Sequence, residues 1–261
     1  MHNRFIEGVI STIRDDLNVI GLAAGGSMIT NQIDEFSDLD LVLITEQQIS
    51  SDPNQMMSYA KNFGNLLNAF TGDHVGERRL LICLYNDPLF HVDIKFITPE
   101  ELIQRVENPV ILFDRNGSIK SIIENSKAEW PELDFQWLAD RFWTWIHYIS
   151  LKLGRGEYFE AIDAISFLRL TVISPLLQIK NKQLPRGLRK VEQTFSDYDI
   201  KRLKDTVPQY TPDSIISSME RCIQLYRDLR TELFPVTVSE RTETENKCVE
   251  YFYEIKKRII K

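Results

Sequence analysis

Three short segments carry groups that could do chemistry. Gly25-Gly26-Ser27 is followed, after ten intervening residues, by Asp38-Leu39-Asp40, and Asp93 lies within His91-Val92-Asp93-Ile94-Lys95. Carboxylates two residues apart at the start of a strand project from the same face. Side by side they repel, and partial burial would cost on the order of several kcal/mol without a compensating cation. Mg²⁺ meets that need, because it takes oxygen ligands and keeps positions open for substrate phosphates. A glycine pair at a strand end, entering a short helix, lets the backbone approach a ligand closely and aims N–H groups at it. Ser27 can cap that helix or donate its hydroxyl, so the turn is a suitable seat for a triphosphate.

The third acid follows from strand alternation. In Phe90–Phe96 the residues Phe90, Val92, Ile94 and Phe96 form one apolar face, which puts His91, Asp93 and Lys95 on the other. If this strand lies beside Leu39–Ile44, Asp93 completes a three-carboxylate cluster with Asp38 and Asp40. Such a cluster can hold two ions roughly 3.5–4 Å apart, one activating an attacking hydroxyl and one steadying a leaving pyrophosphate. GGS alone is also the pattern of a plain turn, and DxD alone that of a solvated strand end. Their spacing, the buried strand behind them and the downstream acid together point to a metal–nucleotide site.

The elements that must position these groups are an alternation of helices and strands. A helix fits residues 2–17, a strand Val19–Ala24, and a buried strand Leu39–Ile44. Residues 55–69 read as helical, with Met57, Ala60, Phe63, Leu67 and Phe70 near one face. Strands Leu80–Tyr85 and Phe90–Phe96 are joined by the turn residues Asn86-Asp87-Pro88-Leu89. Thr98-Pro99-Glu100-Glu101 opens another helix. After about residue 126 the pattern changes, and helices fit 134–153, 157–180, 212–233 and 241–260. The expected fold class is α+β: a small mixed β-sheet domain with flanking helices over residues 1–126, then an all-α bundle over 127–261.

Composition narrows the function classes. At 261 residues, with 43% hydrophobic and 26% charged residues, the sequence has the balance of a soluble globular protein. Cys83, Cys222 and Cys248 are scattered, without a CxxC pair, which argues against disulfides or a zinc site and suits a reducing cytoplasm. No stretch approaches about 18 uncharged apolar residues, so no membrane span is expected. A net charge of −7 disfavours a long nucleic-acid partner, which needs Lys and Arg at its phosphates. The local basic clusters are Arg78-Arg79, Arg186 to Lys190 and Lys256 to Lys261; the first reads as surface charge at a strand start and the second as a solvated loop.

Gly26-Ser27, Asp38 with Asp40, and Asp93 in HVDIKF resemble the hallmark of the nucleotidyltransferase superfamily of the DNA polymerase β type. The match spans roughly residues 19–97. The family often has a glycine four residues beyond the serine, where this chain has Asn31. The second half, around Trp145 to Asp163, resembles the helical domain of bacterial aminoglycoside and lincosamide nucleotidyltransferases. The resemblance implies an enzyme that transfers AMP from ATP, or another nucleotide from its triphosphate, to a hydroxyl of a small molecule such as one of those antibiotics, releasing pyrophosphate. Asp38 and Asp40 would bind both of two Mg²⁺ ions and Asp93 would complete one site. Gly25, Gly26 and Ser27, with Ser37, would hold the nucleotide. The helical half would line the acceptor pocket and could contribute a carboxylate base; a homodimer is an arrangement that relatives use.

Several residues keep two readings. Glu157 is a candidate general base, with Glu160 and Asp163 behind it, yet a carboxylate at a helix start is stabilised by the dipole alone. Lys152 is a candidate phosphate ligand or a solvated helical lysine. Trp137, Trp143, Trp145 and Tyr148 are spaced as bundle core, while one or two could stack on an acceptor. His91 and Lys95 would either touch substrate or neutralise acids. Two rival functions use the same fold: a transferase acting on a protein or RNA end, as in toxin–antitoxin pairs, and a non-catalytic nucleotide-binding regulator. The helical toxin partners usually carry an Arg-x4–6-His motif, which the second half lacks, and all three acids are intact, which counts against decay.

Overall fold

The computed structural model describes residues 2–260. It divides into two compact units, Met1–Pro131 and Glu132–Lys261. The first is a mixed six-stranded sheet with helices, the second is all helical, and the chain as a whole is α+β.

In the first unit α1 (His2–Ile13) buries Ile6, Val9 and Ile13, whose 3–4 spacing makes one apolar stripe. β1 (Val19–Ala24) and β2 (Leu39–Thr45) follow as an antiparallel pair. α2 (Pro53–Asn62) starts with Asp52 accepting from the Asn54 N–H and with Pro53 at its first position. β3 (Leu66–Gly72), β4 (Glu77–Tyr85) and β5 (Phe90–Ile97) form an antiparallel meander. α3 (Pro99–Ile103) opens on a Thr98–Glu101 capping box, and β6 (Val110–Asp114) and α4 (Ser118–Asn125) complete the unit.

The sheet order is β3-β4-β5-β2-β1-β6, and β2 beside β5 is its parallel pairing. One face is sealed by α1 and α2 over Leu22, Leu41, Leu43, Val92, Ile94 and Phe96. On the other, Ala23, Ile44 and Ile97 pack against Leu102 of α3 and Ile119 of α4. That second cluster covers the ends of β2 and β5 away from Asp40 and Asp93.

Residues 55–69 were expected to be one helix; the helix ends at Asn62 and Leu66–Gly72 is a strand. The apolar residues Leu67 and Phe70, which continue the helical spacing, are about half exposed on β3 instead. Pairing of this segment with β4 outweighs a local helical preference. α1 also ends four residues early, because the Asp16 carboxylate accepts from the Asn18 N–H and turns the chain into β1.

The second unit comprises α5 (Phe135–Gly154), α6 (Tyr158–Leu168), a π-helical turn Arg169–Ile173, α7 (Ser174–Lys180), α8 (Val191–Thr194), α9 (Asp197–Lys204), α10 (Pro212–Leu233) and α11 (Thr242–Ile259). Its core gathers Phe142, Trp143, Ile146, Ile165, Leu176, Tyr226, Leu229 and Phe252. Phe142 and Tyr226 stack at 3.7 Å between centroids, buried Trp143 packs edge-on against both at 5.0 and 5.6 Å, and Trp137 packs edge-on with Trp145 at 5.5 Å. One helix, Tyr158–Lys180, is long and apolar enough to cross a bilayer by length and composition, and half of its most apolar stretch is buried inside the protein. It becomes continuous through the π turn, carries Glu160, Asp163 and Arg169, and buries Ala161, Ile165, Leu168, Val172 and Leu176 in the bundle core.

Candidate active site

The site starts where β1 ends. The Gly25 N–H donates to the Asp40 carbonyl at 2.8 Å, which carries the β1–β2 ladder one step beyond Ala24. Gly26 then takes φ +54 and opens a single 3-10 turn, Gly26–Met28, in which Ser27 is buried. A Cβ on Gly26 would lie 1.8 Å from Asp40 Oδ2 and 2.9 Å from its Cγ. The glycine is therefore needed twice, for its left-handed backbone and for the space its missing side chain leaves to the Asp40 carboxylate. Gly25 needs neither, since its φ is −104 and a Cβ there would rest 3.5 Å from Asp40 Cβ. Asn31, where a glycine is usual in the families the sequence resembles, adopts φ +53, a conformation asparagine tolerates better than most residues.

Alternation along β5 is as expected: Phe90, Val92, Ile94 and Phe96 are buried, and His91, Asp93 and Lys95 lie on the opposite face. The parallel register sets Asp40 directly beside Asp93 and Val42 beside Lys95. The two carboxylates are thus neighbours on one face of the sheet, at the level of Gly25 and Gly26. Asp38 lies one residue before β2. Among the described residues no three acidic, histidine or cysteine side chains stand together as a metal-binding group in the absence of an ion. Asp93 Oδ1 is engaged by His91 Nε2 at 2.8 Å, and the Asp40 carboxylate lies against Gly26. Ser37 is tied into its own turn, its hydroxyl donating to Asp34 Oδ1 at 2.9 Å and accepting from the Asp34 N–H.

One row further along the strands lies a charged network that the sequence did not reveal. Arg79 makes a two-pronged contact with Glu77, Nε to Oε1 at 2.8 Å and Nη2 to Oε2 at 2.7 Å, and reaches Glu101 Oε1 at 3.1 Å. Lys95 Nζ joins Glu77 Oε2 at 2.7 Å. Arg79 was read as surface charge together with Arg78; only Arg78 is so exposed, and Arg79 is two-thirds buried. The Arg79 guanidinium, with Lys95 beside it, holds the Glu77 carboxyl down to about 2, against the opposing effect of its own burial. These side chains wall a cavity of about 380 Å³ that begins at Gly25 and Gly26 and has Val42, Ile97 and Leu102 on its apolar side.

In the helical unit Lys152 Nζ sits 2.8 Å from both Glu157 Oε2 and Glu160 Oε2, and Tyr148 Oη donates to Glu160 Oε1 at 2.5 Å. The two carboxylates raise the Lys152 ammonium, and Lys152 in turn lowers the Glu160 carboxyl. The sequence offered Lys152 as a phosphate ligand or a solvated lysine; it is neither free nor solvated, since its charge is held between two acids of its own unit.

The profile of the streptomycin adenylyltransferase family matches residues 1–255. The chain belongs to that family. It is accordingly a nucleotidyltransferase enzyme. No curated protein matches this chain. Among solved structures, an aminoglycoside 6-adenyltransferase from Bacillus subtilis is 13% identical, with 96% of this chain and 97% of that one covered and a TM-score of 0.42. A nucleotidyltransferase-like protein from Exiguobacterium sibiricum is 12% identical, covering 97% and 91%, with a TM-score of 0.37. The spectinomycin adenyltransferase from Enterococcus faecialis, solved with ATP and spectinomycin, is 13% identical, covering 97% and 99%, with a TM-score of 0.35. At such scores none of the three places a residue of this chain.

Two expectations follow from this geometry. Gly26→Ala should lower turnover at least about tenfold, equivalent to roughly 1.4 kcal/mol of transition-state stabilisation, while Gly25→Ala stays within a few-fold of the parent; equal losses in a nucleotide-transfer assay would show that the Gly26–Asp40 contact is unimportant. The depressed Glu77 carboxyl contributes stability that is fully present above the ordinary range near 4.5 and is lost as the pH falls toward about 2. Thermal melts of the parent and Glu77→Gln should therefore differ at about pH 7 and converge as the pH falls toward about 2, whereas a pH-independent gap would contradict the ion pair.

Proposed function

We propose that the chain transfers AMP from Mg²⁺-bound ATP to a hydroxyl group of a small molecule, an aminoglycoside-like or lincosamide-like antibiotic being the acceptor class of choice, with release of pyrophosphate. The observation that carries this reading is the in-register pairing of Asp40 with Asp93 against the Gly25-Gly26-Ser27 turn. The donor chemistry fits Mg²⁺: carboxylate oxygens two abreast, a third from Asp38, and remaining positions that a triphosphate fills. When bound there, the metal supplies charge neutralisation at the phosphates and activation of the acceptor hydroxyl.

The chain's own residues then have separable tasks. Asp40 and Asp93, fixed by strand register, would hold the metal, and through it the reacting phosphate, at one height on the sheet, with Asp38 entering from the turn before β2. The backbone of Gly25 and Gly26 and the hydroxyl of Ser27 orient the phosphate tail. The acceptor oxygen bonds to the α-phosphorus as the bond to the bridging oxygen of pyrophosphate breaks, and the hydroxyl proton leaves to solvent or a carboxylate. Positioning and charge neutralisation account for most of the acceleration in such transfers. We assign acceptor binding to the helical unit, where the Tyr148, Glu157 and Glu160 group offers acids to a cationic, hydroxylated molecule.

Pyrophosphate release should be measured with Mg-ATP across aminoglycosides, lincosamides and other hydroxylated metabolites. Asp40→Asn and Asp93→Asn should each reduce acceptor-dependent release by about 10³-fold or more, with melting temperatures unchanged or raised because a like-charge neighbour is gone. Full turnover in either variant would refute the assignment, and transfer of label from ATP to a macromolecule instead would favour a protein or RNA acceptor.

A further inference from the structure

The two paired acids are held in different ways. Asp40 lies against the turn, where Gly26 leaves no room for a side chain beside its carboxylate. Asp93 has Asp40 across one strand boundary and Ile82 of β4 across the other. Along its own face of β5 it stands between His91 and Lys95, each about 6.6–7 Å away along the strand. Lys95 Nζ is engaged by Glu77 Oε2 at 2.7 Å. His91 instead closes on Asp93, its far ring nitrogen Nε2 lying 2.8 Å from Oδ1. A carboxylate only accepts, so Nε2 carries the proton in this contact. The His91 side chain is 48% exposed, so the hydrogen bond, and not core packing, sets where its ring lies. Leu39 pairs with Val92, which makes Asp38 and His91 the residues directly before that pair on the two strands.

We infer that His91 is a positioning residue for the metal site, its Nε2–H holding Asp93 Oδ1 and leaving Oδ2 as the oxygen offered to the ion. This rests on the proposed Mg²⁺ site at Asp40 and Asp93, to which it adds the group that orients one of the ligands. The last torsion of an aspartate side chain is broad, so an unheld carboxylate samples many orientations before it can ligate. One hydrogen bond to Oδ1 removes that freedom, and ligating carboxylates are commonly held by such a partner behind them. A bond to a carboxylate is shorter and stronger than one between neutral groups, so it can fix the orientation of an exposed pair. Gly26 gives Asp40 its place by close packing, and His91 does the same for Asp93 by a hydrogen bond. An exposed histidine here could instead touch a substrate, or compete with the ion for Asp93. Each of those roles makes a different prediction.

The test measures Mn²⁺ binding, from the paramagnetic resonance of the free ion, and acceptor-dependent pyrophosphate release from ATP. It compares the parent with His91→Ala, His91→Gln, Asp93→Asn and the double variant of His91→Ala with Asp93→Asn. Leu84→Ala, the cross-strand neighbour of His91, controls for disturbance of the strand surface, and thermal melts check that each variant is folded. His91→Ala should weaken Mn²⁺ at least about tenfold and lower kcat, with the acceptor KM within about twofold of the parent. His91→Gln, which keeps an N–H donor near the place of Nε2, should recover most of both losses. In the Asp93→Asn background His91→Ala should add less than about twofold, because its effect passes through that carboxylate. Leu84→Ala should change nothing. Unchanged Mn²⁺ affinity beside a raised KM for either substrate would make His91 a substrate contact and overturn the inference. Tighter Mn²⁺ in His91→Ala would show the ring competing with the ion, and multiplied losses in the double variant would show a separate role; either result overturns it too. If His91→Ala behaves as the parent while Asp93→Asn loses metal and turnover, the inference fails and the proposed function stands. If both single variants weaken Mn²⁺ but no acceptor supports transfer, the positioning role stands and the transfer reading fails.

Discussion

A single strand register governs the first unit. β2 and β5 run parallel with Leu39 beside Val92 and Asp40 beside Asp93, in a sheet whose other pairings are antiparallel. A slip of one residue would turn Asp40 and Asp93 into the sealed face and Leu41 and Ile94 out of it, since side chains alternate with a period of two. Leu41 and Ile94 are each 1% exposed or less, so the hydrophobic effect that fills that face also fixes where the carboxylates stand. The acids are placed by the burial of their neighbours, and no separate device is needed to aim them.

The same register explains why one glycine of the pair is more constrained than the other. Gly25 continues the β1–β2 ladder and could carry a small side chain, whereas Gly26 turns left-handed directly above the Asp40 carboxylate. The close approach that a phosphate seat requires of this turn is thus already used on the protein side. The turn and the acid form one fitted piece, and a change in either is felt by the other.

Much of this was legible in the residues. Strict alternation in Phe90–Phe96 placed Asp93 on its face, the apolar run after Asp40 gave a buried strand, and Pro212 to Leu233 matched α10 residue for residue. What failed to show has identifiable causes. β3 hid behind a helical spacing of Met57, Ala60, Phe63, Leu67 and Phe70, because an edge strand with exposed apolar residues lacks a sealed face to read. Arg79 looked like its neighbour Arg78, since partners at Glu77, Lys95 and Glu101 come from two strands and a helix start that only the fold assembles. Sequence spacing places the acids but does not show that His91 bonds to Asp93 or that Gly26 lies against the Asp40 carboxylate. The sequence does not decide between two roles for Lys152, because Glu157 and Glu160 become its joint partners only when α5 and α6 pack.

The central claim is that the Asp40–Asp93 pair, set by the parallel register, is where metal and nucleotide meet. Crystals grown with Mn²⁺ and a non-hydrolysable ATP analogue test it most directly, through the anomalous signal of the ion. The account predicts a peak within about 2.5 Å of a carboxylate oxygen of both Asp40 and Asp93, the span of oxygen ligation for such cations. A manganese peak elsewhere in the chain, with these two carboxylates uncoordinated beside a bound nucleotide, would contradict it.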